Sequence, residues 1–544
     1  MEANFEQASR GAFPSPSAAA SLLRATRDVS PRPRCRSLLR SAPGVVLLAI
    51  VIADAMRGAD TDLWGHIHFG SIVLSQHQLF FHAPSSYACP PGPRDWIMVD
   101  WLGEALMALV YNAAGVVGLK LAKFGCVAAL MVLLSLCEAE TGASLEIQAA
   151  VLFGSALALL THMQFRTFLA DDVLLAALLW MLARDSYGRG APLWVAVPLL
   201  ALWANLHGGF FVGVIAMGLY TMIRGAQDLA EGRGTRRAVR LAAITSTATL
   251  VTLATPYGLN DWIVIAGVLR NPFTLKHISE FRPLLVVIAD FYRAHRPVFT
   301  FVCAITIMAA LGITFVLTPR ADDLALFAIA ALMTAAALYA VRNTALAVIA
   351  ACAPLCRHAS LVARRLLPQE SRAARPVLIW RALHAALAIL SVAIVIRTGL
   401  LSKTLPAAEL KPVGALAFMR QHDLHGNVLS EFGWGDYLIF HDASRIKIFV
   451  ESIFEAYYPS KLQNDFAAIT YGEPGAQRVL EAYPNDFAMM PTGSPAYRLL
   501  IADPGWRLIY RDPVASLFAP AGSRAAHLAG VPVLRSAAPA SLFP

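Results

Sequence analysis

Two carboxylates and two histidines stand close together just after the first apolar run of the chain. Asp60 and Asp62 are separated by one residue, His66 and His68 follow them, and the apolar run covers residues 43–56. A charged residue where an apolar segment leaves a bilayer costs free energy and usually has a functional reason. Two such carboxylates suit a divalent cation, Mg²⁺ or Mn²⁺, or one of them suits the base that deprotonates a hydroxyl group.

The pair Asp60 and Asp62 also has a purely structural interpretation. Aspartate is common at helix N-termini, where its carboxylate accepts a hydrogen bond from the backbone. The position of the pair directly after an apolar run favours the catalytic interpretation. We therefore take Asp60 and Asp62 as the candidate catalytic residues and as a candidate metal site.

The composition predicts a protein that crosses a membrane many times. Of the 544 residues, 57% are hydrophobic and 15% are charged, and the mean hydropathy is +0.56. Soluble proteins of this length carry more charge. The net charge of +9 comes from arginines clustered between apolar runs, which is typical of topology signals and not of nucleic-acid binding. The seven cysteines contain no C-x-x-C pair, so they predict neither a disulfide framework nor a zinc site.

About eleven apolar runs approach the ~20 residues that a membrane-spanning helix needs. They cover residues 43–57, 115–137, 144–162, 167–184, 191–207, 208–224, 238–256, 298–318, 322–341, 343–358 and 377–400. The arginine-rich stretches before residue 43, at 224–240 and at 357–375 follow the positive-inside rule when the N-terminus is cytoplasmic. The predicted fold is therefore mainly α, a polytopic bundle of transmembrane helices.

This assignment of membrane spans divides the chain into three regions. Residues 1–42, rich in Ser, Ala, Pro and Arg, are expected to form a disordered, basic, cytoplasmic N-terminus. Residues 43–400 form the transmembrane domain, whose first outer loop, 58–114, ends in an amphipathic helix expected to lie in the membrane interface. Residues 401–544 then lie on the outer, extracytoplasmic side.

The composition changes in this last region. Long apolar runs stop, and short apolar runs such as residues 446–450 have the length of strands. Asp512-Pro513 separates two further runs, 508–510 and 515–518, which predicts a hairpin. The sequence therefore predicts a small α/β domain after residue 401.

Polar side chains that suit a reaction collect at the outer ends of the predicted spans. Besides Asp60 and Asp62 they are His66, Glu104, His162, Arg166, Asn205, His207, Lys276, Glu280, Arg342 and Asn343. The inner ends carry mostly arginine. This asymmetry predicts a single site on the outer side, with these residues as its substrate- and phosphate-binding groups.

Arg166, Arg342 and Lys276 are the candidate phosphate ligands. A guanidinium is always charged and binds phosphate oxygens bidentately. The alternative for the two arginines is a side chain that reaches from the bilayer to its surface. Lys276 and Glu280 fit one face of a short helix after Pro272, where a surface salt bridge is the alternative.

Asn205 and His207 belong to the stretch Asn205-Leu-His-Gly-Gly209. The two glycines let the backbone approach a ligand closely, and a packing notch between helices is the alternative. His207 and His162 are expected to line the site.

Seven short motifs follow one another between about residues 43 and 520. They are Asp60-Thr-Asp-Leu-Trp-Gly-His66, Asp100-Trp-Leu-Gly-Glu104, Trp203-Ala-Asn-Leu-His-Gly-Gly209, Thr255-Pro-Tyr-Gly258, Ile278-Ser-Glu-Phe-Arg-Pro283, Val341-Arg-Asn343 and Gly433-Trp-Gly-Asp-Tyr-Leu438. In this order they resemble the GT-C superfamily of polytopic membrane glycosyltransferases, and more narrowly a bacterial group of GT-C-like membrane proteins.

The resemblance implies transfer of a sugar from a polyprenyl-phosphate carrier to a lipid, glycan or protein acceptor. It places the chain in a bacterial inner membrane, with the lipid-linked donor and membrane lipid as partners and the cell envelope as its product's destination. In the superfamily the first-loop acidic residue is catalytic or metal-associated, and this role is carried over to Asp60 and Asp62. Asp60 would be the base of an inverting reaction. Use of a divalent cation varies across the superfamily.

Two other functions remain compatible with the sequence. A transporter or flippase of a lipid-linked glycan would need charged residues at mid-membrane depth and a route on the inner side. A non-catalytic envelope-assembly protein would use the outer domain as its binding module.

Overall fold

The computed structural model describes residues 60–77, 79, 85–89, 96–160, 162–319, 323–366, 410–451 and 457–530, together with the single positions 44, 386 and 389. Side chains 272 and 276 are outside this description. The predicted N-terminal region 1–42 lies outside the described residues, and so do the predicted spans 43–57 and 377–400, apart from those single positions.

The described residues before 367 are mainly helical. Its helices are α1 (Leu63–Gln76), α2 (Trp101–Glu140), α3 (Leu145–Leu159), α4 (Leu169–Ser186), α5 (Ala196–Leu206), α6 (Phe210–Ala230), α7 (Arg236–Leu250), α8 (Leu259–Arg270), α9 (Pro272–His277), α10 (Leu284–Arg293), α11 (Phe299–Leu317), α12 (Leu324–Tyr339) and α13 (Thr344–Leu366). Their apolar side chains form one continuous core.

Among the described residues, four helices are long and apolar enough to cross a membrane. They are α2, α6, α11 and the segment Val341–Leu366. Shorter apolar helices cover Leu145–Leu159, Leu193–Leu206 and Leu324–Tyr339. The prediction of eleven spans is not confirmed, because several predicted runs fold as helices shorter than a bilayer. The run 144–162, for example, becomes the 15-residue helix α3, which is about 22 Å long.

Helix α2 has a break near its middle. It is 40 residues long, and Gly115 has a φ of 57° and a ψ of −147°, outside the helical region. A positive φ is accessible to glycine without steric cost. The break falls where the sequence predicts the change from an interfacial helix to a span. Trp96, shortly before α2, is buried against Phe69 with ring centroids 4.9 Å apart.

Helices α1 and α2 approach each other so closely that only glycine fits at the contact. A Cβ on Gly70 would lie 2.1 Å from the carbonyl oxygen of Glu104, and one on Gly103 would lie 2.6 Å from that of Leu206. These two contacts bring the start of α2 against α1 on one side and against the end of α5 on the other. The first turn of α2 is therefore fixed between two other elements.

The C-terminal part is a small α/β unit, as predicted. Its elements are α14 (Val413–Gln421), β1 (Gly426–Ser430), α15 (Gly435–Asp442), β2 (Ile446–Ile448), α16 (Ser460–Tyr471), α17 (Ala476–Ala482), β3 (Phe487–Pro491), α18 (Pro495–Ala502), β4 (Trp506–Arg511) and β5 (Ala515–Pro520). The strand order is β2-β1-β3-β5-β4. Strand β1 is parallel to both neighbours, whereas β5 is antiparallel to β3 and β4.

The predicted hairpin is formed by β4 and β5. Asp512 closes its turn, because its Oδ1 accepts hydrogen bonds from the backbone N–H groups of Val514 and Ala515, each at 2.7 Å. Such a side-chain-closed turn is a common use of aspartate.

A piece of the first loop extends the same sheet. Ser86 forms a parallel bridge with Ile448 at the edge of β2. The Tyr87 N–H donates to the Ile448 carbonyl at 3.1 Å, and the Ile448 N–H donates to the Ser85 carbonyl at 2.9 Å. The Ser86 hydroxyl also donates to the Phe449 carbonyl at 2.8 Å, across 363 positions of sequence. The first loop and the C-terminal unit are thus joined through one sheet edge.

Candidate active site

The Asp60–Asp62 turn leads directly into α1. Asp60 is buried, and its Oδ1 accepts a hydrogen bond from the backbone N–H of Asp62 at 3.1 Å. Asp62 is the N-terminal cap residue of α1, but its side chain makes no capping hydrogen bond. The structural interpretation of the pair as a helix cap therefore does not account for the Asp62 carboxylate.

Arg166 gathers three carboxylates around its guanidinium group. It lies in the connection between α3 and α4. Its Nε is 2.5 Å from Asp60 Oδ1, its Nη2 is 3.4 Å from Asp62 Oδ2, and its Nη1 is 3.1 Å from Glu280 Oε1. These three negative charges raise the pKa of Arg166 despite its burial, so it stays charged. We call Asp60, Asp62, Arg166 and Glu280 the arginine cluster.

Glu280 reaches this cluster from a short 3-10 turn, Ser279–Phe281. The predicted placement of Lys276 and Glu280 on one helix face is wrong, because α9 ends at His277 and Glu280 belongs to the next turn. The side chain of Lys276 lies outside the described residues. The backbone N–H of Val341 donates to the Arg282 carbonyl at 2.9 Å, which ties this turn to the one that carries Arg342.

Arg342 is exposed and lies beside the arginine cluster. Its guanidinium carbon is 4.4 Å from the centroid of the Phe281 ring, a cation–π contact with the neighbour of Glu280. Asn343 has a structural contact, because its Nδ2 donates to the Ala336 carbonyl at 3.1 Å. That bond caps the end of α12, so the structure gives Asn343 a role in positioning Arg342.

A second cluster lies one helical turn further along α1. His66 Nδ1 is 2.9 Å from Glu104 Oε1 and 3.8 Å from Asp100 Oδ2. Asp100 also accepts a hydrogen bond from the Thr167 hydroxyl at 3.0 Å. We call His66, Asp100 and Glu104 the histidine cluster. Asp100 was not among the predicted site residues, although it begins one of the motifs. Its four-residue spacing from Glu104 is the signal that would have found it.

The two clusters influence each other's charges. Burial alone would lower the pKa of His66, but the hydrogen bond with Glu104 and the charges of Glu104, Asp100 and Asp62 raise it to about 9. Burial raises the pKa of Asp62, against the opposing effect of Arg166. A side chain whose pKa is shifted from its ordinary value, within a polar cluster, is typical of functional sites.

His162 faces the arginine cluster as a neutral imidazole. Its Nε2 is buried and has no hydrogen-bond partner. Burial lowers the pKa of His162 to about 4, although the charge of Glu280 opposes this. In such a neutral ring one nitrogen is a hydrogen-bond donor and the other an acceptor.

Asn205 and His207 lie at the end of α5, next to the first turn of α2. Asn205 Oδ1 accepts from the Trp101 indole at 3.2 Å, and its Nδ2 donates to the Ala254 carbonyl at 3.1 Å. The amide is therefore used in packing the start of α2. His207 Nδ1 is 2.6 Å from Asp171 Oδ2, and the Trp203 indole donates to Asp171 Oδ1 at 2.5 Å.

The C-terminal unit reaches the same region. A Cβ on Gly65 would lie 2.6 Å from the Asp436 carboxyl carbon, and Lys411 Nζ lies 5.3 Å from the centroid of the Trp64 ring. Trp64 also packs edge-on against Tyr437, with centroids 5.6 Å apart. The sequence does not predict this contact, because only tertiary structure brings residues so distant in the chain together.

Comparisons with known proteins identify the fold. No protein-family model and no curated protein matches the sequence. Solved structures do match it. The archaeal oligosaccharyltransferase AglB from Archaeoglobus fulgidus, in complex with an inhibitory peptide and a dolichol-phosphate, shares 12% identity over 82% of this chain and 69% of that chain, with a TM-score of 0.52. Arabinofuranosyltransferase AftD from Mycobacteria shares 14% identity over 90% of this chain and 42% of that chain, with a TM-score of 0.51.

This chain has a GT-C-like fold. The resemblance found in the sequence motifs is thereby confirmed at the level of the fold. An A. fulgidus oligosaccharyltransferase in complex with Zn and sulfate also matches, at 13% identity over 82% of this chain and 68% of that chain, with a TM-score of 0.50. At such identities the likeness concerns the fold, and the chemistry has to be argued from the residues of the site.

In this GT-C-like bundle, the predicted metal site at Asp60 and Asp62 does not fit a cation well. Arg166 already contacts both carboxylates, at 2.5 and 3.4 Å. A divalent cation between them would stand next to a guanidinium group, and like charges at that distance repel. Among the described residues, the group of His, Cys, Asp and Glu side chains with the spacing of metal ligands is His66, Asp100 and Glu104.

Proposed function

We propose that this chain is an integral-membrane glycosyltransferase. It would move a sugar from a polyprenyl-phosphate carrier to a lipid, glycan or protein acceptor on the outer side of a bacterial inner membrane. The observation that carries the proposal is the arginine cluster, where three carboxylates meet one guanidinium at the end of a GT-C-like bundle. The dolichol-phosphate bound to AglB supports a lipid-linked phosphate as the donor.

Asp62 is the proposed base, in place of the sequence-based assignment to Asp60. The Asp60 carboxylate is 6% exposed, and its Oδ1 is held by Arg166 and by the Asp62 backbone. The Asp62 carboxylate is 22% exposed and lies further from Arg166. Burial raises the pKa of Asp62, which suits a general base.

Arg342 is the proposed ligand of the carrier phosphate. It is exposed and held over Phe281, whereas Arg166 is shared among three carboxylates. Arg166 would orient Asp60 and Asp62, and Lys276 remains a further phosphate ligand in the proposal. Guanidinium groups bind phosphate oxygens bidentately, which would fix the donor relative to the base.

The proposed reaction is a single inverting displacement. Asp62 takes the proton of the acceptor hydroxyl group, and the acceptor oxygen forms a bond with the anomeric carbon of the sugar. The bond from that carbon to the phosphate oxygen breaks at the same time. Its electron pair leaves with the polyprenyl phosphate, whose charge Arg342 stabilises. His162 and His207 would line the acceptor side.

Turnover of lipid-linked sugars tests the proposal. Purified full-length protein in proteoliposomes would be given a panel of radiolabelled polyprenyl-phosphate sugars, and donor consumption would be followed by thin-layer separation. We expect Asp62→Asn to lower turnover by about 100-fold or more, the usual contribution of a general base, with little change in the donor KM. Asp60→Asn should also lower turnover, because Arg166 loses its shortest contact.

Glu231→Gln is the matched control. It also replaces a carboxylate that contacts an arginine, but this carboxylate is 45% exposed and lies at the end of α6, away from the arginine cluster. It should turn the donor over like the wild type. The proposal fails if Asp62→Asn does so too, or if folded wild-type protein consumes no donor of the panel.

A further inference from the structure

We propose that the histidine cluster, His66 with Asp100 and Glu104, binds a divalent transition-metal cation, Mn²⁺ or Zn²⁺. This site differs from the Asp60–Asp62 pair that the sequence suggests for a cation. The binding claim stands apart from the proposed glycosyl transfer and is tested without a sugar donor.

The geometry of two packed helices creates the cluster. His66 and Gly70 are four residues apart and share one face of α1, and Asp100 and Glu104 have the same spacing at the start of α2. Gly70 allows the two faces to touch, because a Cβ at this position would lie 2.1 Å from the Glu104 carbonyl oxygen. One ligand atom from each of the three side chains lies within 4.8 Å of the others. A shared cation can occupy such a space after small side-chain adjustments.

Glu104 supplies an independent observation. It is 3% exposed, and its Oε2 is buried without a hydrogen-bond partner. A buried carboxylate oxygen that lacks a partner costs free energy. The other oxygen of Glu104 already contacts His66. A cation bound by Oε2 and by its two neighbours would remove this cost.

The surrounding residues hold the ligands in place. The Thr167 hydroxyl donates to Asp100 Oδ2 at 3.0 Å, and such outer contacts are usual around metal ligands because they fix the orientation of the carboxylate. Asp100 and Glu104 also lie at the N-terminus of α2.

The ligand set selects the cation. One imidazole nitrogen and two carboxylate oxygens suit Zn²⁺ and Mn²⁺, whereas Mg²⁺ and Ca²⁺ prefer oxygen ligands alone. Three protein ligands leave positions open for water or for a substrate oxygen. The backbone N–H of His66 donates to the Asp62 carbonyl at 3.0 Å, so the site stands one helical turn from the arginine cluster.

Manganese binding tests the site directly. Chelator-treated full-length protein would be titrated with Mn²⁺, and the loss of the free-ion signal would be followed by electron paramagnetic resonance. We expect one tight site in the wild type, with binding weakened at least tenfold in Glu104→Gln and in Asp100→Asn. Pulsed measurements should show a nitrogen coupling from the imidazole, which His66→Gln should abolish.

Glu280→Gln is the matched control, because it changes a carboxylate of the neighbouring arginine cluster. It should bind Mn²⁺ like the wild type. The site is overturned if the wild type binds no Mn²⁺ and, in the same assay, no Zn²⁺. It is also overturned if the imidazole coupling is missing, or if Asp62→Asn abolishes binding while Glu104→Gln and Asp100→Asn keep it.

The outcome is separable from that of the proposed function. Protein that binds Mn²⁺ through this cluster but consumes no donor would keep the metal site and reject glycosyl transfer. Protein that consumes donor with a chelator present and binds no Mn²⁺ or Zn²⁺ would support glycosyl transfer and reject the metal site.

Discussion

At the end of the bundle where α2, α4 and α6 stop, four carboxylates have arginines beside them. The pairs are Glu140 with Arg184 and Arg189, Asp185 with Arg237, Asp228 with Arg233 and Arg237, and Glu231 with Arg233. Four arginines thus face four carboxylates. Glu138, buried with an unpartnered Oε1, is an exception.

The opposite end, where α1 and α2 begin, has a different balance. The arginine cluster has three carboxylates for one guanidinium, and the histidine cluster has two carboxylates for one imidazole. Matched pairs need nothing further for stability, whereas carboxylates in excess of their positive partners, two of them buried here (Asp60 and Glu104), cost free energy unless another positive group compensates them. The ratio of carboxylates to positive groups therefore suggests that one end of the bundle serves packing and that the other binds a ligand.

The largest effect that we expect from this comparison concerns Arg166. Arg166→Gln leaves the Asp60, Asp62 and Glu280 carboxylates without their common partner, and its side chain is only 17% exposed. It should lower the free energy of unfolding by about 2–3 kcal/mol, somewhat less than the loss of a fully buried pair. Arg233→Gln removes pairs in which the arginine is 54% exposed and should cost at most about 1 kcal/mol.

Thermal denaturation of both variants in the same detergent would compare them. Equal shifts of the melting temperature would mean that the two ends carry the same kind of ion pair.

Glycine contacts give the second comparison. Gly70→Ala puts a Cβ against the Glu104 backbone and should cost about 1–3 kcal/mol through overpacking. Gly225→Ala, in α6 at the opposite end, meets only the Ala238 side chain at 3.6 Å. It should be neutral or stabilise by up to about 1 kcal/mol, because alanine is the better helix former. A tolerated Gly70→Ala, seen as an unchanged melting temperature, would mean that α1 and α2 separate easily.

The third comparison uses pH, and its expected effect per pH unit is smaller than the two effects above. Glu451, in the C-terminal unit, is buried beside the Tyr458 hydroxyl at 2.5 Å, and burial raises its pKa from 4.5 to about 8. Its protonated form is favoured only in the folded state. The associated stability is therefore fully present below pH 4.5 and is lost as the pH rises through about 8.

Glu451→Gln should flatten this decline, by at most about 1.4 kcal/mol per pH unit for one proton. Melting temperatures of the wild type and the variant between pH 5 and 9 would measure it. Parallel curves would show that Glu451 is ionised in the folded protein at neutral pH.

Much of the fold could be predicted from local sequence. The run 167–184 is helix α4, the hairpin at Asp512 forms, and α2 breaks at Gly115, each within a few residues of its prediction. Apolar runs and turn residues encode such elements directly. The number of spans could not be predicted in this way, because an apolar run does not reveal how much of it becomes regular helix.

The sequence predicts which residues belong to the site, but not which of them contact each other. Asp60, Arg166 and Glu280 were each recognised from their positions at span ends, and the structure brings them together. That Arg166 would contact carboxylates depends on how three separate segments pack. Asn205 likewise has the expected location, but Trp101 and Ala254 occupy its amide group.

The sheet edge shared by the first loop and β2 has a consequence for biosynthesis. Ser86 cannot meet Phe449 until the intervening 363 positions have been translated, which takes about 20–70 s at ordinary elongation rates. During that time the first loop has no partner strand, although the helices between it and β2 can already insert into the membrane. Contacts of such long range also slow folding. A truncated chain without residues 405–544 would leave the loop permanently unpaired, so its loss of activity would reflect failed assembly of the first loop.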